Sequence, residues 1–385
     1  MLRNTMIKKI LKSTVFKGIS AVNKWCQKKD NLILLYSGNK GITYNLAPLL
    51  QYLIDNRYNI KNKIICAVES EEYFGTEEKN VKYVTHIQAV KWFLRAGHVF
   101  YTAGQLPIIP SNNQIVFHLQ HGIANYKTIG ALTKINNGNE NYFTYMLATS
   151  PLYVPILAKA YMCSKEKMVV ASEPMVDRML KPRRIYDFSE YDKVLLWAPT
   201  FRQSDYLGYN DSRQEELVPL FEESDYSEIN EQMKNINCLL IVKLHPSQKT
   251  SEYKKRIYSH FKVLSHEEFE REGYYLYDLM GQINGLIGDY SSVSLQFLLR
   301  DKPEAFVIPD YEEYKEKRGF VFKNAKEYMP GKRIYDKEGF WCWIDEFARN
   351  IDRYSNERKR IRDLVYTYQK GESCKRILEV SGIKK

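Results

Sequence analysis

The feature that most constrains the fold of this chain is a repeated alternation of short apolar runs with helical patterns. In the first half, apolar runs that end near turn residues occur in NLILLYSG, NKIICAVE, HVFYTA and NQIVFHLQHG. The alternation stops in a charged stretch, KPRRIYDFSEYDK, and restarts with VLLWAPTFR, CLLIVKLHP, GLIGDYSS and EAFVIPD. Short strands that alternate with helices indicate parallel βαβ units. The pattern therefore predicts an α/β protein made of two halves with parallel sheets.

The chain length of 385 residues also favours two domains. We expect an N-terminal α/β domain over residues 30–180 and a C-terminal one over residues 193–345, facing each other across a central cleft. Residues 346–385 have a basic, helical pattern, and we expect them to pack back toward the N-terminal domain. In open parallel sheets, ligands bind outside the carboxyl ends of the strands. Binding residues are therefore sought directly after each strand.

Residues 1–29 have the pattern of a basic amphipathic helix. On a helical wheel, the lysines lie mainly outside one apolar side, which consists of Ile7, Ile10, Leu11, Val15, Ile19, Val22 and Trp25. Such a helix either lies in a membrane interface or packs its apolar side on its own domain. Acidic residues are absent before Asp30, which favours the membrane interface. No apolar run approaches the roughly 20 residues that a transmembrane helix needs.

The overall charge of the chain is positive, which favours an anionic partner. A formal net charge of +11 is compatible with nucleic acid, an anionic membrane surface or a phosphorylated substrate. No recognised nucleic-acid-binding motif occurs, so we expect no nucleic-acid partner. The six cysteines are scattered without a CxxC pair, which indicates reduced thiols of a cytoplasmic protein.

A histidine–glycine pair, His121 and Gly122, directly follows one of the predicted strands. The glycine permits a sharp turn that can project the histidine into the cleft, where an imidazole suits proton abstraction from a hydroxyl. The alternative is a structural histidine that hydrogen-bonds a loop carbonyl, and the pair alone does not decide between the two. His118, inside the strand, is interpreted as structural.

Two strands of the second half end in basic residues. Thr200 and Arg202 follow the first of these strands, where an arginine can bind phosphate oxygens or form a surface ion pair. Lys243 and His245 share one face at the end of the next strand, because strand side chains alternate. Two cationic or proton-donating groups on one face suit a diphosphate.

A third junction, LIGDYSSVSLQFLLRDKP, places Asp289, Ser291 and Ser292 between a strand and a helix. One of these side chains can serve only as the helix N-cap. Two consecutive hydroxyls with free N–H groups can also form a phosphate cradle. Neither a P-loop nor a DxD pair occurs in the sequence. We therefore expect no metal and no cofactor, with the charge of an anionic ligand met by basic side chains and a helix N-terminus.

Taken in order, five motifs resemble the CDP-glycerol glycerophosphotransferases, the family of teichoic acid primases and polymerases. The motifs are HG…K…G, APTFR, KLHP, GDYSSVSLQFLLRDKP and DYEEYKEKRGFVF, and they extend over roughly His118 to Phe322. The resemblance implies a GT-B fold of two Rossmann-like domains, an N-terminal acceptor domain and a C-terminal CDP-donor domain. It also implies transfer of glycerol phosphate from CDP-glycerol to an acceptor hydroxyl, with release of CMP. Peripheral attachment to the cytoplasmic face of the bacterial membrane is implied as well.

By matching positions, the resemblance makes His121 the candidate base and His245 a second catalytic histidine in contact with the diphosphate. The positions that it implies around the donor are Thr200, Arg202, Lys243, Asp289, Ser291 and Ser292. The positions assigned to the acceptor or the cleft are Gly122, Lys127 and Arg318. The implied acceptor is a lipid-linked molecule or a polysaccharide, in the synthesis of teichoic acid or of a phosphodiester-containing capsule.

The first motif departs from the usual WHGT sequence of the family, since it reads QHGIA from Gln120 to Ala124. The polyol of the donor therefore stays open, with CDP-ribitol as the alternative to CDP-glycerol. A second alternative is a GT-B capsule glycosyltransferase that uses a nucleotide sugar such as CMP-sialic acid, because it would share the fold and the HP and SS elements.

Overall fold

The computed structural model describes residues 14–76, 78–133, 141–204, 209–212, 216–246, 248 and 257–385. Its strands are β1 Lys29–Tyr36, β2 Lys63–Val68, β3 Val81–Thr85, β4 Ala96–Tyr101, β5 Ile115–His118, β6 Tyr145–Ala148, β7 Met168–Val170, β8 Lys193–Trp197, β9 Gln203–Ser204, β10 Tyr209–Asn210, β11 Cys238–Lys243, β12 Phe261–Leu264, β13 Gly285–Gly288, β14 Glu304–Val307 and β15 Lys332–Ile334. Its helices are α1 Val15–Trp25, α2 Leu46–Asp55, α3 His86–Phe93, α4 Tyr153–Ala160, α5 Pro174–Leu180, α6 Tyr226–Asn235, α7 His266–Arg271, α8 Leu276–Met280, α9 Ser292–Phe297, α10 Tyr311–Lys317, α11 Lys337–Ala348, α12 Ser355–Val365 and α13 Ser373–Val380.

Two sheets form the framework of the described residues. One has the strand order β3-β2-β1-β4-β5-β6-β7 and the other β12-β11-β8-β13-β14-β15. Their central pairs, such as β1 with β4 and β8 with β13, are parallel. Parallel strands are covered on both faces, which explains why they appear in the sequence as continuous apolar runs. The predicted α/β fold class with parallel sheets is confirmed.

By their internal contacts, the described residues form two compact units. Unit 1 comprises Met1–Ile123, Gly138–Asp177 and Thr367–Lys385, and unit 2 comprises Ala124–Asn137 and Arg178–Tyr366, within the described ranges. Unit 1 contains the sheet of β1 to β7, and unit 2 contains the sheet of β8 and β11 to β15 together with the separate two-stranded sheet of β9 and β10. Each unit is therefore assembled from segments that are distant in the sequence.

Helix α1 packs on unit 1 through polar side chains. Ser20 and Asn23 are buried, and the Asn23 amide donates to the carbonyl of Ile109 at 2.9 Å. The exposed residues of the helix include the apolar Val15, Val22 and Trp25 beside Lys17 and Lys24. Residues 1–13 lie outside the described residues, so the amphipathic helix predicted over residues 1–29 stays a prediction. Within the described ranges, no helix is long and apolar enough to cross a membrane.

A carboxyl group is buried at the start of β14. Glu304 is 1% exposed. Burial raises the pKa of this carboxyl well above its ordinary value, although Ser294 and the nearby Arg358 guanidinium lower it in part. The folded protein therefore holds a proton that the unfolded chain releases above an ordinary pKa of 4.5. Such a group makes the free energy of unfolding fall as the pH rises above that value.

We expect Glu304→Gln to raise the melting temperature by a few degrees at about pH 8 and to leave it nearly unchanged near pH 4.5. The amide has the size of the protonated carboxyl but has no proton to lose. Thermal unfolding followed by circular dichroism between these pH values checks this. Glu338→Gln, at an exposed position of α11, is the matched control and should melt like the parent. A Glu304→Gln protein that melts below the parent throughout the pH range would contradict the assignment.

Candidate functional site

Polar side chains gather at the carboxyl ends of neighbouring strands in unit 2. In its sheet, β8 lies between β11 and β13, and β14 lies on the other side of β13. The side chains that follow these four strands are Arg202 after β8, His245 after β11, Asp289 after β13 and Asp310 after β14. Because the ends of parallel strands meet at one edge of a sheet, residues that are far apart in the sequence contact each other there.

Arg202 is 3% exposed, and two carboxylates hold its guanidinium. It forms an ion pair with Asp289, and its Nε donates to Asp310 at 2.9 Å. The rings of Tyr290 and Tyr314 are centred 4.9 and 5.5 Å from the guanidinium carbon. Burial acts to lower the pKa of Arg202, but Asp289 and Asp310 raise it by more, so the arginine keeps its charge. The structure thus places this predicted donor residue inside a buried ion network.

Asp289 connects the loop after β8 with the junction after β13. Its carboxylate accepts hydrogen bonds from the backbone N–H of Thr200 at 2.7 Å, from the Thr200 hydroxyl, and from the backbone N–H of Ser291 at 3.1 Å. Ser291 is the N-cap of α9, because its hydroxyl accepts from the backbone N–H of Val293 at 3.3 Å. Ser292 is half-buried at the first position of that helix. Of the two serine hydroxyls in the predicted cradle, one therefore caps the helix.

His245 stacks its ring on Phe201, with ring centroids 5.7 Å apart and an interplanar angle of 7°. The His245 residue is exposed to solvent on one side, and partial desolvation by the surrounding groups is the largest influence that lowers its pKa; the positive charges of Lys127, Lys243 and His266 lower it further. An anion bound here would offset those neighbouring cations and raise the pKa of the imidazole. The site can therefore take up a proton together with a negatively charged ligand.

Lys243 points its ammonium toward helix α7. Nζ donates to the carbonyl of Leu244 at 3.3 Å and lies 5.4 Å from the centre of the Phe269 ring. Burial lowers the pKa of this lysine to about 8. Lys127 and Arg318, which the sequence assigned to the acceptor or the cleft, both lie in unit 2.

His121 lies in a sharp turn after β5, in unit 1. Its neighbours Gln120 and Gly122 have φ angles of +56° and +74°. The buried carboxylate of Glu173 accepts hydrogen bonds from the backbone N–H groups of Gly122 at 2.9 Å and Ile123 at 3.1 Å. These contacts hold the turn so that the His121 side chain is exposed.

Two residues before helix α2 support the same turn. The Asn45 amide donates to the carbonyls of Leu119 at 3.0 Å and Gln120 at 2.9 Å. The ring of Tyr44 is centred 4.9 Å from the imidazole of His121. Tyr44 has a φ of +51°, which a bulky side chain rarely adopts. Strained backbone of this kind is concentrated at functional sites in proteins.

Sequence reasoning missed five residues of these sites: Tyr44, Asn45, Glu173, Phe201 and Asp310. Asp310 follows the strand EAFVIPD, so the search after strand ends could have found it. The other four act by supporting a loop or a ring, for which a single sequence carries no signal. Within the described part of the chain, no group of three or more His, Cys, Asp or Glu is arranged to hold a metal ion.

Residues 19–380 match a family model described as CDP-Glycerol:Poly(glycerophosphate) glycerophosphotransferase. The match includes the histidines, the ion network and the turn described above. The family resemblance predicted from the motifs is confirmed.

Two curated relatives are bacterial teichoic acid primases. The teichoic acid ribitol-phosphate primase of Bacillus spizizenii W23 is 26% identical over 260 residues, which cover 64% of this chain and 60% of the relative. The teichoic acid glycerol-phosphate primase of Bacillus subtilis 168 is 29% identical over 240 residues, which cover 61% of this chain and 56% of the relative. The chain thus spans less than two thirds of the length of each relative.

Among solved structures, the wall teichoic acid polymerase TagF is similar in fold. A TagF variant soaked with CDPG superposes with a TM-score of 0.72 at 17% identity, covering 98% of this chain and 95% of that chain. At this identity the likeness concerns the fold, and the predicted GT-B-like α/β class is confirmed.

We expect Asn45→Ala to lower the free energy of unfolding by about 2–4 kcal/mol, because it leaves buried carbonyls of the His121 turn without donors. The imidazole resonances of His121 in an NMR spectrum should shift at the same time. Asn56→Ala is the control, since Asn56 follows the last residue of α2 and its amide donates to the carbonyl of Tyr52, one turn earlier in that helix. An Asn45→Ala protein with parent stability and unshifted His121 resonances would show that the turn holds without this amide.

Proposed function

The chain belongs to the CDP-glycerol:poly(glycerophosphate) glycerophosphotransferase family, and on this basis we propose that it transfers a polyol phosphate from a CDP-linked donor to an acceptor hydroxyl and releases CMP. The observation that carries the proposal is a cluster of chargeable side chains in unit 2, in which Lys127 and Lys243 both lie near enough to act electrostatically on His245. Cationic groups held together in a partly buried position favour an anion such as a diphosphate.

We propose CDP-glycerol as the donor, with CDP-ribitol as the alternative. Relatives named for glycerol phosphate and for ribitol phosphate both resemble this chain, and the TagF variant was soaked with CDPG. The acceptor is proposed to be a lipid-linked or polysaccharide hydroxyl in teichoic acid or capsule synthesis. Incubation with CDP-glycerol, CDP-ribitol or CMP-sialic acid, each with such an acceptor, and measurement of released CMP tests this choice. Turnover of CMP-sialic acid alone would favour the sugar-transferring alternative, and turnover of no donor would refute the proposal.

His121 is proposed as the general base. It takes the proton of the acceptor hydroxyl while that oxygen attacks the phosphorus atom that carries the polyol. The bond from this phosphorus to the bridging oxygen of the diphosphate breaks, and CMP leaves with that oxygen. The support for this role is the exposed position of His121 in a turn whose backbone is hydrogen-bonded to the side chains of Glu173 and Asn45.

The donor diphosphate is proposed to lie against His245, Lys243 and the half-buried Ser292. Its negative charge would raise the pKa of His245, so the imidazolium and the lysine stabilise the charge that develops on the leaving CMP. Phosphoryl transfer depends mainly on such positioning and electrostatic stabilisation.

The predicted donor residues Thr200, Arg202, Asp289 and Ser291 are proposed to act mainly by positioning. Asp289 and Arg202 are almost fully buried and bonded to each other. Thr200 and Ser291 are bonded to Asp289 as well. Together they fix the loop that carries Phe201, on which the His245 ring stacks. They also fix the junction that carries Ser292.

We expect His121→Ala to lower the rate of CMP release by about 10²–10⁴-fold, because the acceptor hydroxyl loses its base. Binding of CDP, measured by calorimetry, should stay within about twofold of the parent, since this ligand lacks the acceptor. His121→Asn keeps a polar side chain in the turn and should be as slow as the alanine variant. Turnover at the parent rate in either variant would remove His121 from the mechanism.

Helix α1 is proposed to attach the protein peripherally to the cytoplasmic face of the bacterial membrane. Its exposed apolar side chains lie on one side of the helix, and Trp25 is 90% exposed. Lys17 and Lys24 are exposed on the same helix. Tryptophan favours the interfacial region of a bilayer, and lysines are attracted by anionic headgroups. The unit turns this side of the helix outward, as an interfacial helix requires.

We expect the double variant Val22→Ser/Trp25→Ser to bind vesicles with anionic lipid at least about tenfold more weakly, because two apolar side chains no longer enter the interface. Sedimentation with phosphatidylglycerol-containing vesicles measures this. Ile185→Ser is the control, as Ile185 is 77% exposed in unit 2 and should not affect vesicle binding. Unchanged sedimentation of the double variant would refute attachment through α1.

A further inference from the structure

Residues 124–133 follow a turn of unit 1 in the sequence but belong to unit 2. Lys127 forms an antiparallel bridge with Phe320, just after helix α10. On either side of this bridge, the backbone N–H of Thr128 donates to the carbonyl of Gly319 at 3.1 Å, and that of Val321 donates to the carbonyl of Tyr126 at 2.8 Å. The backbone at Lys127 is therefore paired with unit 2.

The side chains next to Lys127 anchor the segment further. The Thr128 hydroxyl donates to the carbonyl of Arg318 at 2.6 Å, and the Tyr126 hydroxyl donates to the carbonyl of Tyr328 at 2.8 Å. With both neighbours held by unit 2, Lys127 has a defined position. A lysine on a mobile loop would lose much more conformational entropy on binding a ligand.

The ammonium of Lys127 has no matching counter-charge of its own. The side chain is half-buried, and within the described ranges its ammonium forms neither a hydrogen bond nor an ion pair. The carboxylate of Asp289 is bonded to Arg202 and Thr200, and that of Asp211 lies 3.9 Å from Arg318.

Burial lowers the pKa of Lys127 to about 8, and the positive charges of Arg318 and Arg202 lower it too, against the opposing effect of Asp289 and Asp211. A lysine kept only for stability would be expected to have an ion-pair partner, because a partly desolvated cation beside other cations is unfavourable. An arrangement that is unfavourable when empty and favourable with a bound anion is typical of a binding site.

We propose that Lys127, together with Arg318, binds a phosphate group of the nucleoside diphosphate donor in unit 2. This inference rests on the proposed function and assigns Lys127 to the donor, whereas the sequence motifs had assigned it to the acceptor or the cleft. The segment 124–133 lies in the first half of the sequence, but it thereby supplies unit 2 with a residue that binds the donor. Because Lys127 also acts electrostatically on His245, a phosphate bound between them satisfies both groups.

The test compares Lys127→Met with the parent in calorimetric binding of CDP at about pH 7. The variant should bind CDP about ten- to a hundredfold more weakly, the effect of removing a hydrogen bond to a charged group. Without ligand, its melting temperature should equal or exceed that of the parent, and CDP should raise this temperature less. Lys127→Arg should recover part of the affinity. Lys315→Met, at an exposed position of α10, is the control and should bind CDP like the parent.

A pH series separates this role from a structural one. The groups that face Lys127 are Asp289, Asp211, Arg202, Arg318 and His245. The arginines stay charged throughout. The affinity of the parent for CDP should fall as the pH rises through about 8, where both Lys127 and Lys243 lose their protons in the free protein. Lys127→Arg should bind CDP with a flatter dependence in the same range, because its guanidinium keeps its charge.

CDP affinity of Lys127→Met within about twofold of the parent would overturn the inference while leaving the proposed transfer intact. Equal loss of affinity in the Met and Arg variants, with lowered melting temperatures, would also overturn it, because it indicates a structural lysine. If the parent neither binds CDP nor releases CMP, the proposed function fails on its own. Inorganic pyrophosphate then decides the site, since binding that is absent, or equal in parent and Lys127→Met, would refute a phosphate site.

Discussion

The structure of unit 2 depends on one buried arginine held between two carboxylates. Arg202, Asp289 and Asp310 follow three strands that are neighbours in the sheet, β8, β13 and β14. Each charge is desolvated, so the group is stable only while all members are present, and loss of one member of such a network typically costs about 3–5 kcal/mol. The rings of Tyr290 and Tyr314 cover the guanidinium and keep it dry. The carboxyl edge of the sheet is thus locked in one arrangement.

This ion network also positions the loops that carry the other polar residues at the carboxyl edge of the sheet. Asp289 uses its remaining lone pairs on the backbone and hydroxyl of Thr200 and on the backbone of Ser291, so two loops are tied to the ion network. The first loop carries Phe201, on which the His245 ring stacks. Preorganised groups of this kind need little rearrangement when a charged ligand arrives. In unit 1, the His121 turn is held in place in a similar way, by hydrogen bonds from the Asn45 amide and to the Glu173 carboxylate.

Much of this architecture is predictable from the sequence, because strand and helix periods are local. The alternation of apolar runs predicts the parallel sheets, and the rule that ligands bind at strand ends selects Arg202, His245 and Asp289. The rule cannot tell whether an arginine there points outward or is buried in an ion pair, since that depends on which strands become neighbours. For the same reason, no local pattern in the sequence predicts that Lys127 belongs to unit 2. The side of helix α1 that is buried also has no local signal in the sequence, because its buried residues are the polar Ser20 and Asn23.

Helix α13 belongs to unit 1 although the chain reaches it only after all of unit 2. Four of its residues are buried, the Ser373 hydroxyl bonds Asp177, and the Asn62 amide bonds the carbonyl of Lys384 at 3.0 Å. On the ribosome, the first sheet therefore emerges long before this helix of the same unit is made. Until then, the apolar surface that receives Ile377 and Leu378 is open to water and to chaperones. Completion of this unit must wait for a long-range contact, and such contacts slow folding.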